Sequence, residues 1–286
     1  FRFIPNRACI NLSTPGIKMK MMNEYLMENK EEAYRLDIKT APDKVQEQAT
    51  WAGLLPGMRV ADIGCGAGKT SSVLREMVGS EGSVVGVDVS DQRLVHARKN
   101  YAISGLTFSQ CDIREDLEHL GEFDFVWMRF VLEYFSNESA NIVKNVSRLL
   151  KPGGILCLID LDHNCLNHFG QEHRLEKTIL DVMSHLQDKN NFDPYAGRKL
   201  YSHLFDLDFQ EIDVKVDAHH LIFGELDGID EYNWLQKMDV AAQRCGCKFE
   251  EYNGSYEEFV ADFEDFFSNP RRFSYTPMIL CRGQRP

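Results

Sequence analysis

The thirteen residues VADIGCGAGKTSS, Val60 to Ser72, constrain this chain more than any other stretch. Three glycines and a Lys-Thr pair follow an apolar run and precede a helix-compatible one, so the backbone must turn sharply between a strand and a helix. Two phosphate-binding loops come within one residue of matching. A P-loop, G-x-x-x-x-G-K-[ST], ends correctly at Gly68-Lys69-Thr70 but needs glycine where Ile63 stands. A dinucleotide fingerprint, G-x-G-x-x-G, starts correctly at Gly64 and Gly66 but needs glycine where Lys69 stands. What remains is acid-x-G-x-G-x-G, Asp62 through Gly68, with Lys69 and Thr70 assigned to the first helical turn as solvated or capping residues.

The flanking text alternates in the same rhythm. Short apolar runs at Arg59–Ile63, Ser83–Val87, Leu106–Ser109, Phe123–Trp127 and Gly154–Ile159 are separated by helical patterns at Ser71–Val78, Gln92–Ser104 and Ser139–Leu150, the last stopped by Lys151-Pro152-Gly153-Gly154. Two helices precede them, Asn23–Lys39 and about Pro42–Ala52. Such alternation predicts an α/β fold with a parallel sheet and right-handed crossovers, whose ligands bind beyond the carboxyl ends of the strands. Two stretches break the rhythm, 162–193 with a helix around Glu172–Leu186 and the acidic, aromatic-rich 224–270; they read as helical insertions covering the substrate side. A strand at Glu211–Val216 and a terminal strand at Thr276–Arg282 complete the domain, 23–286.

Asp62 lies in the glycine loop, Asp88 ends SVVGVD and Asp112 ends TFSQCD, so three successive strand-loop units each carry a carboxylate at one rim. Aspartates at strand ends also serve as turn and cap residues. In combination with the loop they suggest a nucleoside site, one carboxylate accepting from a ribose diol and the next from an adenine amine.

Asp62-Ile63-Gly64-Cys65-Gly66-Ala67-Gly68, Asp88, Cys111-Asp112-Ile113 and Leu149-Leu150-Lys151-Pro152-Gly153-Gly154 together resemble the motifs of class I S-adenosylmethionine-dependent methyltransferases, over roughly residues 40–222 plus the terminal strand. The resemblance implies a Rossmann-like, seven-stranded, mostly parallel sheet of order 3-2-1-4-5-7-6 with its last strand antiparallel. FDFVWMRFVLEYF is similar to the fourth-strand segment of the ubiquinone/menaquinone-type and small-molecule branch, with Tyr134 where that branch often has His. It implies S-adenosyl-L-methionine as cofactor, S-adenosyl-L-homocysteine as product, and contacts from Asp62, Gly64, Cys65, Gly66 and Gly68. Asp88, Val89, Asp112, Ile113, Met128, Arg129 and, on the N-terminal helix beside Tyr34, Arg35 complete that set.

The donor carries the difficult chemistry, so the protein aligns the partners and removes a proton where needed. Arg129 and Glu133 follow the fourth strand; Asp160, Asp162 and His163 follow the fifth. His163 is the candidate general base because imidazole titrates near neutrality, and Arg129 the second candidate, with an ion pair to Glu133 four residues on as its structural alternative. His163, His168 and His173 share no helical face, and Cys245-Gly246-Cys247 is too closely spaced for the usual zinc pair, so no metal is expected.

The formal net charge of -12 disfavours tight nucleic-acid binding. Trp127-Met128-Arg129-Phe130 stands where base-methylating enzymes of this fold carry Asn/Asp-Pro-Pro-aromatic. A small-molecule acceptor is the leading expectation; a protein or nucleic-acid acceptor, an NAD-dependent oxidoreductase and a non-catalytic cofactor-binding module are the alternatives. The aromatics Phe169, Phe192, Tyr195, Phe223, Tyr232, Trp234, Phe249 and Tyr252 of the insertions are available for an enclosed pocket or for a satellite core. The eight cysteines, scattered without a C-x-x-C, fit free thiols in the cytoplasm. No apolar run of membrane-spanning length occurs, so no membrane partner is expected. Residues 1–22 read as a tag or flexible arm, and the oligomeric state is open, a homodimer included.

Overall fold

The structure, a computed structural model, describes residues 32–286; the arm 1–22, the first part of the helix expected from Asn23, and the side chain of Tyr34 lie outside what it describes. Two helices, α1 (Glu32–Lys39) and α2 (Pro42–Ala52), precede β1 (Arg59–Ile63), α3 (Lys69–Val78), β2 (Ser83–Asp88), α4 (Asp91–Asn100) and β3 (Leu106–Gln110). Then follow β4 (Phe123–Arg129), α5 (Ser139–Ser147), β5 (Leu150–Leu161), a two-residue β6 (His168–Phe169), α6 (His173–Asn190) and α7 (Leu200–Phe205). The chain ends with β7 (Gln210–Phe223), α8 (Gly228–Cys245), α9 (Tyr256–Ser268) and β8 (Phe273–Gln284).

The strands run β3-β2-β1-β4-β5-β8, the first five mutually parallel and β8 antiparallel to β5, with β7 antiparallel along the other edge of β8. This is the order expected for the last two strands, enlarged to eight by β6, which pairs only with Phe273 and Ser274. On one face Val45, Ala49 and Ala52 of α2 and Val73, Leu74 and Val78 of α3 pack against Val60, Phe125 and Trp127. On the other, Ile142, Val143 and Val146 of α5 and Leu200 and Leu204 of α7 cover Ala61, Val126 and Leu158. Burying each such aliphatic side chain contributes about 1.5–3 kcal/mol, which is why strands enclosed on both faces read as continuous apolar runs.

Several boundaries differ from the sequence pattern, among them α4, which ends at Asn100 rather than Ser104, and two of them have a clear local reason. The helix expected to Leu150 ends at Ser147, because the Leu149 carbonyl already accepts from Phe123 N at 2.8 Å and the chain has joined β4 before the Pro-Gly-Gly turn; the register break at Phe123/Phe125 absorbs that turn within β5. β7 continues past Val216 to Phe223, and its alternation is lost at Ala218–His220, where a bulge shifts the register against β8.

A third core lies beyond the sheet. Leu175, Val182 and Leu186 of α6, Trp234 and Met238 of α8, and Phe259, Phe263 and Phe267 of α9 close around Ile222 of β7. Of the insertion aromatics, Phe192, Trp234, Phe249 and Tyr252 are buried in this core, whereas Phe169 and Phe223 face outward.

Candidate functional site

The turn after β1 is shaped by two constraints acting together. Gly64, Gly66 and Gly68 have φ of 74°, 53° and 91°. A side chain at Gly64 would also place its Cβ 2.4 Å from Val131 Cγ2, and one at Gly68 2.7 Å from Ala97 Cβ. The turn's amides are consumed internally: Gly64 N and Cys65 N donate to the Val87 carbonyl at 2.7 and 2.9 Å, Gly68 N to the Cys65 carbonyl at 3.0 Å, and Gly66 N to Asp88 Oδ2 at 2.9 Å. Lys69, expected to be solvated or capping, instead donates from Nζ to the Asp37 carbonyl at 2.6 Å, which ties the end of α1 over the turn. The Tyr101 hydroxyl donates to Asp37 Oδ1 in the same place.

A cavity of about 520 Å³ opens beside this turn, within the size range of small-ligand sites. Gly64, Cys65, Gly66 and Gly68 line it, as do Asp88, Val89, Asp112, Ile113 and Arg129, so nine of the sequence-derived contacts come together. Leu36, Lys39 and Thr40 of α1 close one side; Phe130, Glu133 and Tyr134 close another.

Asp62, Met128, Arg35 and His163 are not among the lining residues. Asp62 sits buried beneath the turn, accepting from Ser71 Oγ at 2.6 Å, and Met128 belongs to the core under α5. Arg35 is buried with its Nε and Nη2 on the two carboxylate oxygens of Glu32, at 2.8 and 2.7 Å. His163 takes a left-handed φ of 46° and turns its ring edge-on to Tyr195, 5.1 Å between centroids. Asp162 beside it pairs with Arg198 at 2.7 Å.

Both rim carboxylates have arginine partners that the sequence pattern did not single out. Arg93, buried on the first turn of α4, puts Nε and Nη2 on Asp88 Oδ1 at 3.2 and 2.8 Å, beside the Ser90 amide at 2.9 Å. Among the described residues Asp88 Oδ2 accepts only Gly66 N, which leaves a lone pair there for a ligand hydroxyl. Arg114 clamps Asp112, its Nη2 2.6 Å from Oδ2. The spacings Asp-x₄-Arg and Asp-x-Arg were the available signals, the first bringing the arginine one helical turn past the strand end. The turn-residue role is also present, since Asp112 Oδ1 accepts Arg114 N at 3.0 Å.

Beyond β4, Asp160 Oδ2 accepts the amides of Leu132 and Glu133 at 2.8 and 3.2 Å, fixing the turn that carries Glu133 and Tyr134. Glu133 is buried and accepts from Asn164 Nδ2 at 2.6 Å, and burial pushes its carboxyl up against the pull of Lys237 and Lys39. The Arg129 guanidinium lies 4.1 Å from the Phe130 ring centroid and is not paired with Glu133, and burial lowers it to about 10 although the Asp62 carboxylate opposes this. Phe130 itself has φ 58°, a strained value for an aromatic residue of the kind that gathers at ligand sites.

Burial also pushes Asp62 up to about 7, against the hydrogen bond from Ser71. Between about pH 4 and about pH 7 the folded chain therefore holds a proton that the unfolded chain has released, so this group's contribution to stability falls as pH rises through that window. Asp62→Asn keeps an acceptor for Ser71 and removes the titration. It is expected to gain about 2–4 kcal/mol on the wild type between about pH 4 and about pH 8. Urea melts of both proteins across that range check this; parallel curves would show that Asp62 does not titrate there.

Among the described residues, seven cysteines are free thiols, and no helix is long and apolar enough to cross a membrane. His168 is enclosed by Trp234, Phe266 and Phe267 and bonded to Ser274 Oγ at 2.8 Å, far from the ligand role weighed for it. The ligand atoms of Asp181, His185 and Cys247 lie within 4.8 Å of one another outside this cavity, with Cys247 Sγ donating to Asp181 Oδ2 at 2.9 Å.

Residues 54–203 match the family described as Methyltransferase domain. An arsenite methyltransferase from Aquipseudomonas alcaligenes is 35% identical over 118 residues, 38% of this chain and 34% of that protein. The ubiquinone/menaquinone biosynthesis C-methyltransferase UbiE of Shewanella sp. (strain ANA-3) is 26% identical over 137 residues, 46% of this chain and 51% of that protein. The chain thus spans about a third to half the length of these curated relatives. Among solved structures, YcgJ from Bacillus subtilis aligns at a TM-score of 0.55 and 17% identity, over 86% of this chain and 100% of that one. Phosphoethanolamine N-methyltransferase 2 from Haemonchus contortus, solved with S-adenosyl-L-methionine, aligns at 0.51 and 16% identity, over 85% of this chain and 52% of that one; likeness at these identities is likeness of fold. Since the family match takes in 54–203 of 286 residues, the chain belongs to the methyltransferase-domain family, the class I S-adenosylmethionine-dependent methyltransferases.

Proposed function

We propose that this chain transfers a methyl group from S-adenosylmethionine to a small molecule. The observation that carries the choice of donor is the state of the glycine turn. With the N–H groups of Gly64, Cys65, Gly66 and Gly68 already donating inside the protein, and Lys69 tied to Asp37, the turn is poorly furnished for a pyrophosphate but offers close backbone approach to a ligand without phosphates. When bound, S-adenosylmethionine supplies a methyl carbon activated by its sulfonium.

Asp88 Oδ2 would accept from the ribose and Asp112 from the adenine amine, with Val89 and Ile113 against the ring. Arg129 and Lys39 line the cavity and have no ion-pair partner among the described residues, which fits them to the donor's carboxylate. Glu133 lines the same cavity, and its raised carboxyl suits proton removal from an acceptor. His163, turned toward Tyr195, would need to move to take that part.

The names of the relatives support a small acceptor, since arsenite, ubiquinone and menaquinone are small molecules. The core of α6, α8 and α9 supports it too, by standing where a cover over the acceptor is expected. A reducing cytoplasm is the compartment this reading assumes, in keeping with the free thiols.

Calorimetry with S-adenosylhomocysteine and NAD, followed by labelled methyl donor with a metabolite extract, tests the reading. S-adenosylhomocysteine is expected to bind with a dissociation constant in the range of about 1–100 μM, and NAD at least about a hundredfold more weakly. Tighter binding of NAD would overturn the donor assignment; label entering only macromolecules would overturn the small acceptor.

A further inference from the structure

The bulge in β7 does more than lengthen the strand. By shifting the register between Ala218 and His220 it sets two successive histidines side by side instead of on opposite faces, their rings 4.1 Å apart and 28° from parallel. His219 lies 4.6 Å from the Phe130 ring, and His220 lies 5.4 Å from the Trp234 ring. Lys39 Nζ stands 5.5 Å from the centre of Phe130, and Lys237 Nζ 5.5 Å from the centre of Trp234. A continuous path of cations and rings therefore leads from the donor cavity, through Phe130 and the histidine pair, to Lys237 on α8.

This path is rich in unused donors. His219 Nε2, His220 Nδ1, Trp234 Nε1 and Arg129 Nε are buried without a hydrogen-bond partner. Three cations, Lys39, Arg129 and Lys237, have no carboxylate in ion-pair contact among the described residues, and the charge of Lys237 bears on Lys39. Burial holds both imidazoles well below their ordinary value, so each is neutral and keeps one N–H to give. Glu133 is the carboxylate that acts on Lys39, Lys237 and Cys165 together, and Asn164 already occupies one of its oxygens. Buried donors left unpaired carry a desolvation cost that a ligand supplying acceptors would remove.

The donor brings one carboxylate, and Arg129 and Lys39 suffice for it. Lys237 lines not the donor cavity but a second, apolar one of about 40 Å³ bounded by Cys165, Met183, Trp234, Met238 and Phe263. We propose that Lys237, His219 and His220 seat an acidic group of the methyl acceptor, so that the acceptor is a small acid whose apolar body extends toward Trp234 and that second cavity. The proposal rests on the donor site described above. A carboxylate and a phosphate monoester present the same acceptor-rich anion to these groups, and the experiment separates them.

Benzoate, phenyl phosphate and the neutral isostere benzamide are titrated calorimetrically into the whole chain, with and without saturating S-adenosylhomocysteine, and into Lys237→Met and His219→Phe. One of the two acids is expected to bind at least about tenfold more tightly than benzamide, and the preferred acid names the group. Lys237→Met is expected to weaken that acid by about tenfold or more and leave S-adenosylhomocysteine affinity within about twofold, with His219→Phe weakening the acid alone. Benzamide binding as tightly as both acids, an unchanged acid affinity in Lys237→Met, or no acid binding at about 10 mM overturns the seat. Loss of S-adenosylhomocysteine binding in the unsubstituted chain is a different failure, that of the donor reading, and the titrations without it still report on the acid.

Discussion

Gly64→Ala is expected to destabilise the protein by about 2–5 kcal/mol and to abolish measurable S-adenosylhomocysteine binding. Two effects add. Alanine at a φ of 74° carries the left-handed penalty, and its Cβ meets Val131 Cγ2 at 2.4 Å, too close for any small adjustment. Val131 starts the turn that Asp160 holds through the Leu132 and Glu133 amides, so it cannot retreat without disturbing the residues that line the cavity. Gly153→Ala is the control: φ is 76°, nothing stands within 4 Å of the added carbon, and about 1 kcal/mol is expected. Urea denaturation of the two variants checks the contrast; equal losses would show that the Val131 contact yields freely.

Asp88→Ala is expected to act on stability and on ligand affinity through different partners. Its removal takes from the buried Arg93 the carboxylate that Nε and Nη2 both engage, which is expected to cost about 3–5 kcal/mol. S-adenosylhomocysteine affinity is expected to fall by about 1–3 kcal/mol, the loss of a charged hydrogen-bond acceptor. Arg93→Met in the Asp88→Ala background should restore much of the stability and little of the affinity, because the ribose contact assigned to Oδ2 does not involve the guanidinium. A double-mutant cycle read by both denaturation and calorimetry separates the two. Full recovery of affinity in the double variant would mean that Asp88 serves only to hold Arg93.

The parts of this protein that were legible in its residues are those whose geometry is local. Gly64, Gly66 and Gly68 are needed by a turn of five residues, and Asp88 and Asp112 reach one cavity because parallel neighbours end at the same rim. Arg93 and Arg114 were not singled out, although they decide how much of each carboxylate remains for a ligand: arginines near strand ends are common, and only coordinates show where the forks point. His163 reads as a base from its position after β5, yet a left-handed backbone turns the ring toward Tyr195. Arg35 suits a helix facing a ligand, but Glu32, three residues earlier, engages it. The pairing of His219 with His220 depends on a register slip against β8, a property of two distant strands that no single stretch encodes.

The ladder between β7 and β8 runs from Gln210–Gln284 to Phe223–Phe273, shifting register at Gln210/Asp213 and Ala218/His220, beginning beside the sheet and ending in the aromatic core of α6, α8 and α9. Sheet and cap consequently share a spine. Fraying one end of that spine strips partners from the other, so the cap is expected to lose its order when β8 is removed from the sheet rather than to survive as a module that can be lifted away intact.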